Sequence, residues 1–96
     1  MIYINSDNVV IDNTWMWRAN NDINGLIYNG TNPVETGIVI NGDDVIAYGL
    51  GVEHTLGYMT VWNGNNGLTI FYKSEYPYDV NTDFGTKKKV SYKVSN

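Results

Sequence analysis

Two glutamates, Glu53 and Glu75, stand at the same place in two copies of one segment. Adjacent carboxyl groups can work as a pair. One keeps a proton and acts as a general acid, while its ionised neighbour acts on water or on the reacting carbon. Sugar–sugar bonds are cleaved by such pairs, and the gap between the groups sets the stereochemical outcome. Like charges side by side also raise the proton affinity of one partner, so a stacked pair is predicted to hold one proton near neutral pH. Of the two, Glu75 is the expected general acid, because Pro77 stiffens the chain just beyond it and Tyr76 and Tyr78 can shield it. Glu53 is then expected to place or activate water.

The pairing follows from a repeat. Residues 38–53 recur as residues 60–75 at a constant offset of 22 (75 − 53). Asn41-Gly42 falls on Asn63-Gly64, Asp43-Asp44 on Asn65-Asn66, and Ile46 on Leu68. A unit of this length, made of two β-like runs and a turn, has the form of one coil of a β-solenoid. Equivalent residues on successive coils lie one strand spacing apart, about 4.8 Å. Alternation within the repeats predicts Ile46, Tyr48, Leu50 and Val52 facing inward, with Leu68, Ile70, Tyr72 and Ser74 as their partners. Ala47, Gly49, Gly51 and Glu53, and then Thr69, Phe71, Lys73 and Glu75, make the outer face.

A third, less regular copy spans Asn8–Arg18. Its turn, Ser6-Asp7-Asn8-Val9, matches the repeat at an offset of 36; its apolar face matches at 35, with Ile11, Trp15 and Trp17 on Ile46, Leu50 and Val52. The choice of 35 keeps the tryptophans inside, since a slip of one residue turns a whole face outward. Arg18 then stands in the column of Glu53 and Glu75 (18 + 35 = 53). The 13 residues beyond a 22-residue coil (35 − 22) form a projecting loop within Ala19–Glu35. Val90, Tyr92 and Val94 alternate with polar residues and predict a final strand within Lys87–Ser95.

The reading is therefore all-β: a right-handed parallel β-helix of about three coils, with residues 1–96 as a single partial β-helix domain. The rival is a meander of hairpins, because Asn-Gly also favours tight turns; a meander has no reason to keep the 22-residue period. Thirteen aromatics (Trp 3, Tyr 8, Phe 2) suit strands.

Composition narrows the functions. The net charge is −4 with 6 Lys and Arg, which argues against a nucleic-acid partner. With no cysteine there is no disulfide framework and no thiolate metal site. No apolar run has the length of a membrane span, and no signal peptide is seen at the start of the chain. No cofactor motif is present. Asp43-Asp44 reads as a turn rather than a calcium site, since the partners Asn65-Asn66 are neutral. His54 reads as a packed core or turn histidine. By parity, Trp62 is the tryptophan placed to stack on a sugar ring.

The ordered motifs carry a resemblance. Asp12-Asn13-Thr14-Trp15-Met16-Trp17-Arg18-Ala19, Thr36-Gly37-Ile38-Val39-Ile40-Asn41-Gly42-Asp43-Asp44-Val45, Gly51-Val52-Glu53-His54, Val61-Trp62-Asn63-Gly64 and Tyr72-Lys73-Ser74-Glu75-Tyr76-Pro77-Tyr78-Asp79 occur in this sequence. Together they resemble the C-terminal β-helix region of secreted bacterial and fungal polysaccharide hydrolases, notably the β-1,3-glucanases of glycoside hydrolase family fifty-five, which have twin β-helices. The resemblance implies a fragment or short relative of a glycan-acting enzyme, inactive by itself because the opposite wall of the pocket is missing. It implies an extracellular setting, a glucan partner and catalytic carboxylates at Glu53 and Glu75; Arg18, Trp62 and Tyr76 are the substrate contacts expected from the residues themselves. Lys73-Ser74 replaces the family's usual Gln-Asn or Gln-Ser, and Ala19-Asn20-Asn21-Asp22 replaces Ala-Asp-His-Gly.

Two alternatives stand beside the hydrolase reading. One is a non-catalytic β-solenoid module that binds carbohydrate or only forms structure. The other, confined to the site, is a surface column in which Arg18 and Lys73 neutralise the two glutamates. The open ends of so short a solenoid also predict self-association.

Overall fold

The computed structural model of the chain describes residues 1–18, 32–80 and 82–95. Most of the expected Ala19–Glu35 loop, including Ala19-Asn20-Asn21-Asp22, lies outside the described residues. Two parallel sheets face each other. β1 (Ile2–Ile4), β3 (Ile38–Ile40), β5 (Thr60–Trp62) and β7 (Tyr92–Val94) form one; β2 (Val10–Trp17), β4 (Ile46–Glu53) and β6 (Leu68–Glu75) form the other. The chain visits the sheets alternately, so each circuit is one coil of a right-handed parallel β-helix. Ile46 lies beside Leu68 and Leu50 beside Tyr72, at the predicted offset of 22.

The turns are stacked too. Asn41 donates through Nδ2 to Asn5 Oδ1 at 2.7 Å, and Asn63 to Asn41 Oδ1 at 2.8 Å. The Asp7 carboxylate accepts the backbone N–H of Asp43 at 2.8 Å, and Asp43 accepts that of Asn65 at 2.7 Å. The Asn-Gly pairs therefore serve a ladder between coils and not hairpins.

The first coil departs from the expected register. Val10 pairs with Ile46, Trp15 with Gly51 and Trp17 with Glu53, an offset of 36 (46 − 10). The stacked turn decides it, because its side-chain bonds form only in this alignment. The one-residue slip turns Trp15 and Trp17 outward, 59% and 44% exposed, where they stack with ring centroids 4.9 Å apart. Met16 takes the inner place instead. The missed strand β1 belongs to the same alignment: Ile2-Tyr3-Ile4-Asn5 repeats as Ile38-Val39-Ile40-Asn41 at 36.

The inward faces need a second correction. Asn13, Gly49 and Phe71, equivalent on the three coils, have φ of 53°, 65° and 65°. A left-handed residue bends each long strand and resets its alternation. Before the bend the inner residues are Ile11 and Ala47, not Ile46 and Tyr48; Tyr48, Leu68 and Ile70 are exposed. Beyond the bend Leu50 and Val52 point inward as predicted, which leaves Gly51 and Glu53 on the outer face.

Ile11, Met16, Ile38, Ile40, Val45, Ala47, Leu50, Val52, Met59 and Trp62 form the core between the sheets. Trp62 is 3% exposed, so the platform expected there is buried: its ring stacks on Tyr92. The last coil is closed by tyrosines. Tyr72 donates to the Ser91 carbonyl at 3.0 Å and meets Thr60 Oγ1 at 2.9 Å, and burial pushes its phenol up. The final strand is shorter than the alternation implied. Thr82–Lys87 form a 3₁₀ helix, and only Tyr92–Val94 join the sheet.

Candidate functional site

Glu53 and Glu75 end β4 and β6 in register, on the outer face of adjacent coils. The next level of this column holds Trp17, not Arg18. Glu53 is 4% exposed, flanked by Trp17 and Glu75. Lys73 lies two residues before Glu75 and hence on the same strand face. Its ammonium donates to Glu53 Oε1 at 2.9 Å and to Glu75 Oε2 at 2.7 Å. One cation thus bridges both glutamates, the contact that the surface-column alternative expected of Lys73, while Arg18 pairs with Asp79 instead.

This bridge reverses the expected proton balance. The hydrogen bond from Lys73, reinforced by one from the Tyr78 hydroxyl, lowers the Glu75 carboxyl to about 2. Glu75 is therefore ionised at neutral pH and does not carry the proton of a general acid. The Lys73 ammonium is correspondingly pushed up by its two carboxylate partners, and the Tyr78 phenol by its bond to Glu75.

A stability signature follows from these shifts. A lowered carboxyl stabilises the fold above its unfolded value of 4.5, and that contribution is lost as pH falls toward 2. A raised lysine stabilises below 10.5 and loses this only at higher pH. We expect a plateau between these limits and an acid limb below pH 4.5. Lys73→Met should flatten the acid limb, and 1 M salt should shrink it, because the Lys73 side chain is 61% exposed. Urea midpoints measured from pH 6 to pH 2.5 test this; an unchanged limb in Lys73→Met would rule out the bridge as its source.

Behind the column the chain is pinned. Arg18 grips Asp79 in a bidentate pair at 3.0 and 2.7 Å, and donates to the carbonyls of His54 at 2.9 Å and Asn32 at 3.1 Å. The Arg18 and Asp79 side chains are 1% and 4% exposed, so Arg18 acts as an internal brace rather than a surface contact for substrate. His54 is buried, as expected, at a φ of 65° that carries its imidazole to Tyr78, ring centroids 4.6 Å apart, with Nε2 3.7 Å from Glu75 Oε1. Tyr76 is 49% exposed and packs edge-on against Phe84. Glu53, His54 and Glu75 present atoms within 4.8 Å of one another that could hold a metal, but the Lys73 ammonium already supplies the positive charge between the two carboxylates.

The sequence carried a signal for Lys73, through its spacing from Glu75. It carried none for Asp79, whose partner is 61 residues away.

Stacked parallel coils that alternate between two sheets define a parallel β-helix. Residues 1–75 match the LAM55 pectate lyase-like domain, and the chain belongs to that family. It is 45% identical over 78 residues to an exo-β-1,3-glucanase of Streptomyces sp. (strain SirexAA-E / ActE), a match that covers 81% of this chain and 13% of the relative. The solved structure of sacteLam55A from Streptomyces sp. SirexAA-E matches with a TM-score of 0.81 at 38% identity, over 98% of this chain and 18% of that one. The chain thus spans less than a fifth of the length of these relatives. Among the described residues, no helix is long and apolar enough to cross a membrane.

Proposed function

We propose that this chain is a piece of an extracellular glucan-acting β-helix of the β-1,3-glucanase type, and that it supplies one wall of a glycan site without turning over substrate by itself. The reading is supported by the family and by the outer column of Glu53 and Glu75. The observation that carries the inactivity is the Lys73 bridge. It keeps Glu75 ionised and fills the place between the carboxylates that a hydrolytic water would need. In a complete site the pair is assigned to holding sugar hydroxyls, and both the general acid and the hydrolytic water are placed by groups outside these residues. Tyr76 stands at the margin of this wall as a substrate contact. β6 ends its sheet among the described residues, and its edge is assigned to pairing with a further strand, either from a longer chain or from a second copy.

Laminarin incubated with the purified chain is expected to release no reducing sugar above the level seen with Glu75→Gln. Hydrolysis abolished by that substitution would overturn the inactive reading. The same preparation in sedimentation velocity should show mass rising with concentration; a monomer at every concentration would remove the edge-pairing proposal. The non-catalytic alternative draws its support from the same bridge. It differs in requiring that Lys73→Gln restore no activity even when a second β-helix wall is supplied.

A further inference from the structure

Three Asn-Gly pairs lie among the described residues, and the structure treats them unequally. At Asn41-Gly42 the side chain is held twice, donating to Asn5 Oδ1 at 2.7 Å and accepting from Asn63 at 2.8 Å. The Gly42 N–H is bonded to the Ile4 carbonyl at 3.1 Å, and the glycine is buried. At Asn63-Gly64 the side chain donates to Asn41, and the Gly64 N–H is bonded to the Ile40 carbonyl at 3.1 Å. At Asn66-Gly67 the glycine N–H makes no backbone hydrogen bond to a described residue, and both residues are exposed.

The exposed pair is also the one open to solvent on its flank. Asn66 and Gly67 line a surface cleft of about 400 Å³ with Trp62 and Tyr92, so water reaches both. Gly67 lies against the Trp62 indole, where a β-carbon would stand 2.3 Å from Nε1. Close approach therefore requires glycine here, and no side chain shields its nitrogen. Asn66 holds a φ of 58°, like Asp44 at 57° one level below, and donates through Nδ2 to Asp44 Oδ1 at 2.6 Å.

We propose that Asn66-Gly67 is a site of spontaneous covalent modification, in which the asparagine becomes aspartate or isoaspartate, and that this conversion unlatches the third turn from the second. The Gly67 nitrogen loses its proton to base and attacks Asn66 Cγ. The new N–Cγ bond closes a cyclic imide; the bond from Cγ to Nδ2 breaks, and that nitrogen leaves as ammonia with a proton from water. Water then opens the ring at Cγ, giving aspartate, or at the backbone carbonyl, giving isoaspartate. A water is consumed and an ammonia released, with no change of oxidation state. At Asn41 and Asn63 the same attack first requires a glycine N–H bond to open within the stacked turn. The product alters the ladder, because a carboxylate replaces the donor that faces Asp44. Two like-charged acceptors then meet where a hydrogen bond was. Isoaspartate also lengthens the main chain just before β6, the strand that carries Lys73 and Glu75.

The test needs no ligand. The folded chain is incubated at mildly alkaline pH, and each Asn-Gly peptide is followed by mass spectrometry. Asn66 should convert at least about tenfold faster than Asn41 or Asn63, the weight of one hydrogen bond that need not open. In concentrated urea the three rates should converge, since the turns no longer protect any of them. Asn66→Asp, which installs the charge of the product, should lower the melting midpoint by about 4–8 °C, the shift for one lost hydrogen bond in a domain of this size. Asp44→Asn combined with Asn66→Asp exchanges donor and acceptor and should recover the midpoint. Asn41 or Asn63 converting as fast as Asn66 in the folded chain, or no conversion at Asn66, would overturn the site. Asn66→Asp melting with the wild type, or a double variant no more stable than Asn66→Asp, would overturn the unlatching.

Discussion

Arg18→Ala is expected to lower the unfolding free energy by about 3–5 kcal/mol, since removing one partner of a buried pair strands the other charge. Both side chains are almost fully enclosed, at 1% and 4% exposure, and joined by two short bonds. The guanidinium also donates to the carbonyls of His54 and Asn32, so alanine removes a brace that ties three segments together behind Glu53 and Glu75. Arg18→Lys should recover little, because a lysine cannot reproduce the planar fork. Urea unfolding at neutral pH measures the effect. A loss below about 1 kcal/mol, the size of an exposed ion pair, would mean that the bond does not close the structure.

Gly64→Ala should be nearly as damaging, at about 3 kcal/mol, the upper end of the usual range for overpacking. A β-carbon at Gly64 would lie 1.7 Å from the Gly42 carbonyl oxygen and 2.6 Å from its carbon. Those atoms are backbone, so no rotamer change relieves the clash; the two coils must part. Parting them also breaks the Asn41–Asn63 bond and the Asp43–Asn65 bond of the turn ladder. Ser6 occupies the equivalent place on the first coil (6 + 36 = 42, 42 + 22 = 64) and carries a side chain there. Ser6→Ala is therefore the control, with a change within about 0.5 kcal/mol as for ordinary surface positions. Calorimetric midpoints of the two variants compare them directly. Gly64→Ala melting with the wild type would mean that the coils are not tightly stacked at this corner.

The two variants probe different parts of one design. Glycine at the turn lets coils approach closely enough for side chains to bond level to level. The Arg18–Asp79 pair then ties the end of the long strands to the chain beyond β6. Between them the outer face is fixed well enough to hold Glu53, Glu75 and Lys73 in contact. The consequence for function is electrostatic. A bridging lysine holds Glu75 in its ionised form, which is why no turnover is assigned to the isolated chain.

Much of this was legible in the sequence, because a parallel solenoid writes its geometry as a period. Equal spacing places like on like, so the offset of 22 alone paired Glu53 with Glu75 and Leu50 with Tyr72. The turn residues alone pointed to the offset of 36 for the first coil, and the whole of β1 agrees with it. The apolar faces pointed the other way, since alternation assumes a straight strand, and a left-handed residue at Asn13, Gly49 and Phe71 resets it. Gly49 advertises such a conformation; Asn13 does so weakly, and Phe71 not at all. Tertiary structure alone decided which tryptophans face solvent, that Arg18 leaves the glutamate column, and that Asp79 receives it. Those outcomes depend on the bend of each strand and on contacts between distant residues, and neither has a local sequence period.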